Sequence, residues 1–419
     1  MKTSKHALFV AAWSAVGAVA VTGIGVWGWL TLAPRFVLAE VFPDRNLAAC
    51  VAQATGVSGP SAKVSQLALT QVRSLTCSVN RDKAKSDAQR PPGALLDSPP
   101  PTERGQDLEA KKILSIRGLD RLTNLTTLGL RTNGISDLTP LASLVKLDDV
   151  MLADNQVTDL TPLAGLPVLS GLDLSANTIT DLTPLARVRT LRSLHLTNNQ
   201  VSDLSPLAGL PTLSRLDAGE NHISDLTPLA SLHRLGQITL THNRVTDLTP
   251  LAGLPVLSDL GLLDNTITDL TPLARVPTLR FLGLNKNQIS DLAPLAGLTR
   301  LSKLDASENQ ISDVTPLAHL PELRRLTLPG NRIVNAAPLR AMPVLAMLNI
   351  SQNRVADART FTGFATLEEL WVGGNLLTDV TPLATLPALT GVDFEGTMSS
   401  TLVGLDVLRA HNVYVGGFA

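Results

Sequence analysis

Leu172-Asp173-Leu174-Ser175-Ala176-Asn177-Thr178-Ile179-Thr180-Asp181-Leu182-Thr183-Pro184-Leu185-Ala186 is one copy of a pattern that returns along the chain every 22 residues. Its asparagine recurs at Asn133, Asn155, Asn177, Asn199, Asn221, Asn243, Asn265, Asn287, Asn309, Asn331, Asn353 and Asn375, with aliphatic residues locked in phase around it. A unit this short cannot bury its own apolar face, so its copies must stack on one another. The 419 residues are therefore expected to form a one-dimensional solenoid in place of two or three compact domains.

In the coil from Leu147 to Leu169, the residues Leu147, Val150, Leu152, Val157, Leu160, Leu163, Leu166 and Leu169 are predicted to point inward. Val150 and Leu152 flank an outward Met151, the period-two mark of a short strand, and copies of that strand should form a parallel sheet on the concave side. The asparagine belongs inside, where its amide can donate to and accept from backbone groups of adjacent coils. Asp-Leu-Thr-Pro-Leu-Ala follows at residues 159–164 and 181–186. Threonine is expected to cap, and proline to start, a short turn, because the first helical position does not use the donor that proline lacks. Few residues remain before the next leucine run, so the convex side should carry short 3₁₀ or irregular turns. The fold class is an α/β solenoid, a curved leucine-rich repeat stack over residues 108–396. A ridge of acids at Asp137, Asp159, Asp181, Asp203, Asp225, Asp247, Asp269, Asp291 and Asp313 is expected to accept hydrogen bonds from turn amides, with calcium bridging as the alternative.

Lys+Arg at 35 against Asp+Glu at 36 gives a net charge of -1, which argues against nucleic acid as a partner. Aromatics make up only 3% of the chain, as suits a bore filled by leucine. Lys2 and Lys5 precede 27 uncharged residues from Ala7 to Ala33, long enough to span a bilayer. Residues 7–33 are read as a transmembrane signal-anchor, with residues 1–6 as a cytoplasmic tail and the rest exported. The alternative is a signal peptide cleaved after Ala39, within Val37-Leu38-Ala39. Either way the long carboxyl portion lies outside the cytoplasm.

Residues 40–107 are assigned to an N-terminal cap over the first coil, with a helix in Val41–Ala54 capped by Asp44 and an imperfect coil over Leu67–Val79. Residues 81–106, rich in Pro, Lys and Asp, are expected to be a disordered insertion. Cys50 and Cys77 are the only two cysteines, both on the exported side, and a disulfide between them is expected; two buried free thiols are the alternative. Residues 397–419 should form a C-terminal cap made of a short helix and an edge strand. Arg359 to Phe364 lacks the proline frame and should bulge.

Leu172 to Ala186 resembles the 22-residue repeats of bacterial internalin-type proteins, and Phe42-Pro43-Asp44 before an alanine-rich helix is similar to that family's N-terminal cap. Eukaryotic phosphatase-regulatory repeats of the same length look alike. The resemblance implies a protein ligand held on the concave face, and in some members surface adhesion. No cell-wall sorting signal follows the repeats here, so attachment is expected through the amino terminus.

The exposed concave column should run Gly129, Met151, Asp173, His195, Asp217, Thr239, Gly261, Gly283, Asp305, Thr327, Asn349, Trp371 and Asp393. Trp371 with Met347, and Phe281 with Leu263, are the candidate apolar anchors for a protein partner. Asp173, His195 and Asp217 stand in successive rows and are read as polar surface or partner contacts, since a single metal ion does not comfortably bridge two strand spacings. No catalytic motif, metal site or cofactor-binding loop emerges, and the reading is non-enzymatic, with no cofactor. The function expected is an extracytoplasmic, membrane-tethered protein-binding module, with surface adhesion as its use; the alternative is an envelope scaffold or regulatory subunit without host contact.

Overall fold

The computed structural model describes residues 35–77, 111–397 and 402–418. The tail at 1–6, the apolar segment at 7–33 and the Pro-rich stretch at 81–106 lie outside the described residues. Among the described residues no helix is long and apolar enough to cross a membrane.

A fifteen-stranded sheet runs from Ser74–Thr76 at one edge to Tyr414–Phe418 at the other, with neighbouring strands in chain order and parallel. Most strands are three residues long, and within the regular stack each residue pairs with the one 22 positions later, as in Asp149↔Gly171 and Gly171↔Ser193. That register follows from the leucines: Leu172, Leu194 and Leu216 alternate with open positions, and all three are at most 1% exposed. Slipping the strands by one residue would send every leucine to solvent. On the opposite side each Thr-Pro-Leu segment forms a 3₁₀ turn, such as Thr161–Leu163 and Thr227–Leu229.

The asparagines bind the stack together. Asn177 Oδ1 accepts from the Val157 amide at 2.8 Å, while its Nδ2 donates to Leu152 O at 3.0 Å in the preceding coil and to Leu174 O at 2.9 Å in its own. Asn199, Asn265 and Asn287 repeat the same three contacts. At the amino end Asn133 donates to Cys77 O, which joins the ladder to the cap. At the other end Thr397 takes the asparagine phase, and its hydroxyl accepts from the Gly374 amide at 3.1 Å.

The residue before each asparagine is left-handed. Ala176, Glu220, His242 and Lys286 have φ between 52° and 54°, and Gly330 and Gly374 take the same place. An L-residue there costs roughly 1–2 kcal/mol. The conformation turns the asparagine inward and aims the amide of the left-handed residue at the next coil, as in Ala176 N–H to Thr197 O at 2.7 Å.

In the convex turns the ridge aspartates accept from turn amides as expected, and it is they that cap the turn, where threonine was the expected cap. Thr161 is the first residue of its turn, and its amide donates to Asp159 Oδ1 at 2.8 Å; Asp181, Asp225 and Asp269 do the same for Thr183, Thr227 and Thr271. The carboxylate is two residues upstream of the amide, so it can reach that donor without leaving its own turn. The hydroxyls and amides of those threonines hold Asp159, Asp181, Asp225 and Asp269 below the usual carboxylate range.

At the cap, Asp44 Oδ1 accepts from Asn46 N and Leu47 N at the start of the helix Arg45–Thr55, and its Oδ2 accepts from Leu114 N at 2.7 Å. A strand at Arg35–Val37 pairs with Lys63–Ser65, so the described cap begins upstream of residue 40. The Leu67 region holds a helix, Gln66–Gln71, before the first strand of the large sheet. Cys50 and Cys77 form a disulfide with Cα atoms 6.0 Å apart, tying that helix-bearing cap to the first strand.

The coil around Arg359–Phe364 does not bulge on its sheet side: Met347↔Glu369 and Leu348↔Leu370 keep the regular register. Phe361 and Phe364 take leucine positions in the bore, while Ala336 and Ala358 are buried where neighbouring coils carry leucine or valine, so added and reduced volume offset one another in this part of the stack. Thr360, where other coils have proline, accepts from Ala336 N and donates to Asn335.

Two measurements check this account. Asn243 accepts from Ile223 N and donates to Ala218 O, so Asn243→Ala should destabilise by about 1–3 kcal/mol in denaturant unfolding; no change would contradict the ladder. The carboxyls of Asp159, Asp181, Asp225 and Asp269 are held below the ordinary aspartate value of about 3.9. Their stabilisation is complete above that pH and is lost as pH falls through the lowered values. The Tm should therefore hold above about pH 4 and drop as pH falls below it, and a flat Tm across that fall would contradict the capping role.

Candidate protein-binding face

The side of the sheet away from the leucine bore carries three positions per coil that do not repeat. Met151, Asp173, His195 and Asp217 follow one another along it in adjacent strands. Asp173 does not engage His195: it accepts from Arg131 Nη2 at 2.7 Å, across the strand that carries Met151. His195 lies 3.8 Å from Asp217 through Nδ1 and 3.0 Å from Ser193 Oγ through Nε2. Burial pushes the Asp217 carboxyl up, but hydrogen bonds from His195, Thr197 and the Gly219 amide outweigh it and hold the group below its ordinary range. Asp149 shifts the other way, raised first by burial and then by the neighbouring carboxylates of Asp148 and Asp173. Among the described residues no group of three or more His, Cys, Asp or Glu is arranged to hold a metal ion.

Mid-sheet, a hollow of about 320 Å³ opens between His195 and Phe281, lined by Arg215, Asp217, Thr239 and Gly261. Phe281 leans toward Gly283, and the Lys303 ammonium sits 5.0 Å from its ring centroid. The pairing of Phe281 with Leu263 does not form. Phe281 is level with Asp259 at the start of the strand Asp259–Gly261, whereas Leu263 lies beyond the end of that strand.

Trp371 is level with Asn349, and Met347 with Glu369. Met347 and Trp371 share a face one diagonal step apart, and both are half-buried. The hollow beside Trp371 opens toward the C-terminal edge, where Glu369, Gly391, Asp393 and Tyr414 complete it. Tyr414, Glu369 and Gly391 are contributors that sequence reasoning did not place on this face. The step from Gly391 to Tyr414 is 23 residues, so counting by 22 loses the phase there.

The family described as leucine-rich repeats (2 copies) matches residues 189–231 and 277–319. The crystal structure of an internalin, InlF of Listeria monocytogenes, is 31% identical, with a TM-score of 0.76 over 87% of this chain and 99% of that one. The chain belongs to the internalin family. The functional domain of InlJ from Listeria monocytogenes has a TM-score of 0.65 at 22% identity, over 91% of this chain and 74% of that one. The leucine-rich repeat protein LIC12759 of Leptospira interrogans has 0.68 at 20%, over 83% of this chain and 90% of that one. These two share the fold. No curated protein sequence matches this internalin-type chain significantly.

Proposed function

We propose that this chain is an extracytoplasmic protein-binding module, tethered to a bacterial membrane by its amino-terminal segment, and that its ligand docks on the sheet face. The observation that carries the reading is the contrast between frame and face. Leucine, asparagine and aspartate recur in every regular coil, whereas the open sheet positions change from one coil to the next and enclose two hollows. Variable side chains on a rigid scaffold are where recognition of a particular partner can reside. Met151, Asp173, His195, Asp217, Leu263, Phe281, Met347 and Trp371 are the proposed contact set, with Asp173 presented by Arg131 and Phe281 by Lys303. Surface adhesion is the use that the family membership favours.

Export is supported by the Cys50–Cys77 disulfide, since such bonds persist in oxidising compartments. Retention of the apolar segment is supported by what a cut after Ala39 would remove. Arg35–Val37 is a paired strand, Leu38 is fully buried, and the Leu38 and Ala39 amides donate to Ala62 O and Pro60 O. An amino terminus at Glu40 in the mature protein would contradict retention.

A photo-crosslinking residue at Thr239, on the face, is expected to capture a discrete protein in intact cells, whereas one at the exposed Val168, off the face, should not. Equal capture from both positions would remove the assignment of the sheet face.

A further inference from the structure

At the C-terminal end of the sheet, register places Glu369, Gly391 and Tyr414 in one row and Trp371, Asp393 and Gly416 in the next. Gly391 leaves a gap in the first row. Its φ is not positive, and a Cβ built there would meet nothing within 4 Å, so neither backbone strain nor crowding requires glycine. The gap is the middle of a cup of about 280 Å³ walled by two aromatic rings, Trp371 and Tyr414, and two carboxylates, Glu369 and Asp393. Tyr414 is 74% exposed, with its ring leaning over Gly416.

The charge in this cup is one-sided. Among the described residues neither Glu369 nor Asp393 forms a salt bridge, and Asp393 Oδ1 accepts only the amide of Glu395 at 2.8 Å. The nearest cations on the same face, Arg325 and Lys303, stand two and three strands from Glu369. Trp371 and Tyr414 rise from strands two spacings apart, about 10 Å. That width admits one flat group, and an electron-rich ring face beside a carboxylate favours a cation there.

We propose that this cup takes an arginine side chain of the protein ligand, which gives the binding reading above, on which it rests, a defined chemistry. A guanidinium is planar, so it can lie against an indole or phenol ring while its edge donates to Glu369 and Asp393. A lysine ammonium supplies the charge but neither the plane nor the fork. Trp371 and Tyr414 are then the stacking walls, the two carboxylates select charge, and the empty position of Gly391 supplies the depth.

The test uses the full chain labelled with 5-fluorotryptophan, the Trp371 signal being assigned through Trp371→Phe and followed by fluorine NMR. Acetyl-arginine amide should shift that signal saturably. The isosteric but uncharged acetyl-citrulline amide should need at least ten times the concentration, and acetyl-lysine amide several times. Gly391→Leu, for which the open space leaves room, should abolish the shift while the Trp371 signal stays sharp and dispersed. Glu369→Gln with Asp393→Asn should weaken it tenfold or more. Absence of a shift, equal responses to arginine and citrulline or to arginine and lysine, or an unchanged response in Gly391→Leu would overturn the proposal. If crosslinking from Thr239 survives such a failure, the cup is refuted while the protein-binding face stands.

Discussion

The asparagine side chain between successive coils is the constraint on which the rest of this molecule depends. A coil of 22 residues turns too tightly to satisfy all of its own backbone, and it leaves donors and acceptors facing the bore. One amide side chain per coil supplies an acceptor for the coil before it and donors to both. Because the amide is short and buried, it also fixes how far apart two coils can sit, which the leucines alone would leave looser. The parallel sheet, the left-handed residue ahead of each asparagine and the aspartate-capped turn all follow from holding that side chain in place.

This explains why so much of the fold was legible. Leucine spacing and the asparagine phase together determine strand position, register and bore, and the described strands fall where they indicate. What was lost has specific causes. The left-handed position is occupied in several coils by Thr132, Ala176, Glu220 and Lys286, residue types that do not advertise positive φ, so the hint from Gly330, Gly374, Asn198, Asp154 and Asp264 is diluted. The aspartate's bond to a turn amide was legible, but its being the cap of the turn was not, because threonine sits beside the proline that starts the turn. The strand Arg35–Val37 is too short to leave a pattern, and it adjoins the apolar stretch that dominates any reading of that region.

The candidate face was legible as positions, less so as contacts. Counting by 22 identified the exposed column, yet neighbours in a column need not meet. Asp173 reaches back to Arg131 and away from His195, and Phe281 lies level with Asp259 while Leu263 falls past the end of that strand. The C-terminal hollow was invisible because its far wall, Tyr414, belongs to a strand after the repeat has ended. Side-chain direction and the loss of phase at a cap are not encoded in a period.

The most direct test of the central claim is amide hydrogen exchange at the residues that donate to the ladder. The Val201 amide donates to Asn221 Oδ1 at 2.9 Å, and the Ile289 amide donates to Asn309 four coils away. In Asn221→Ala, Val201 should lose at least about tenfold in protection, the equivalent of one buried hydrogen bond, while Ile289 keeps its own. Unchanged protection at Val201 would mean that the coils are held by leucine packing alone, and it would contradict the account.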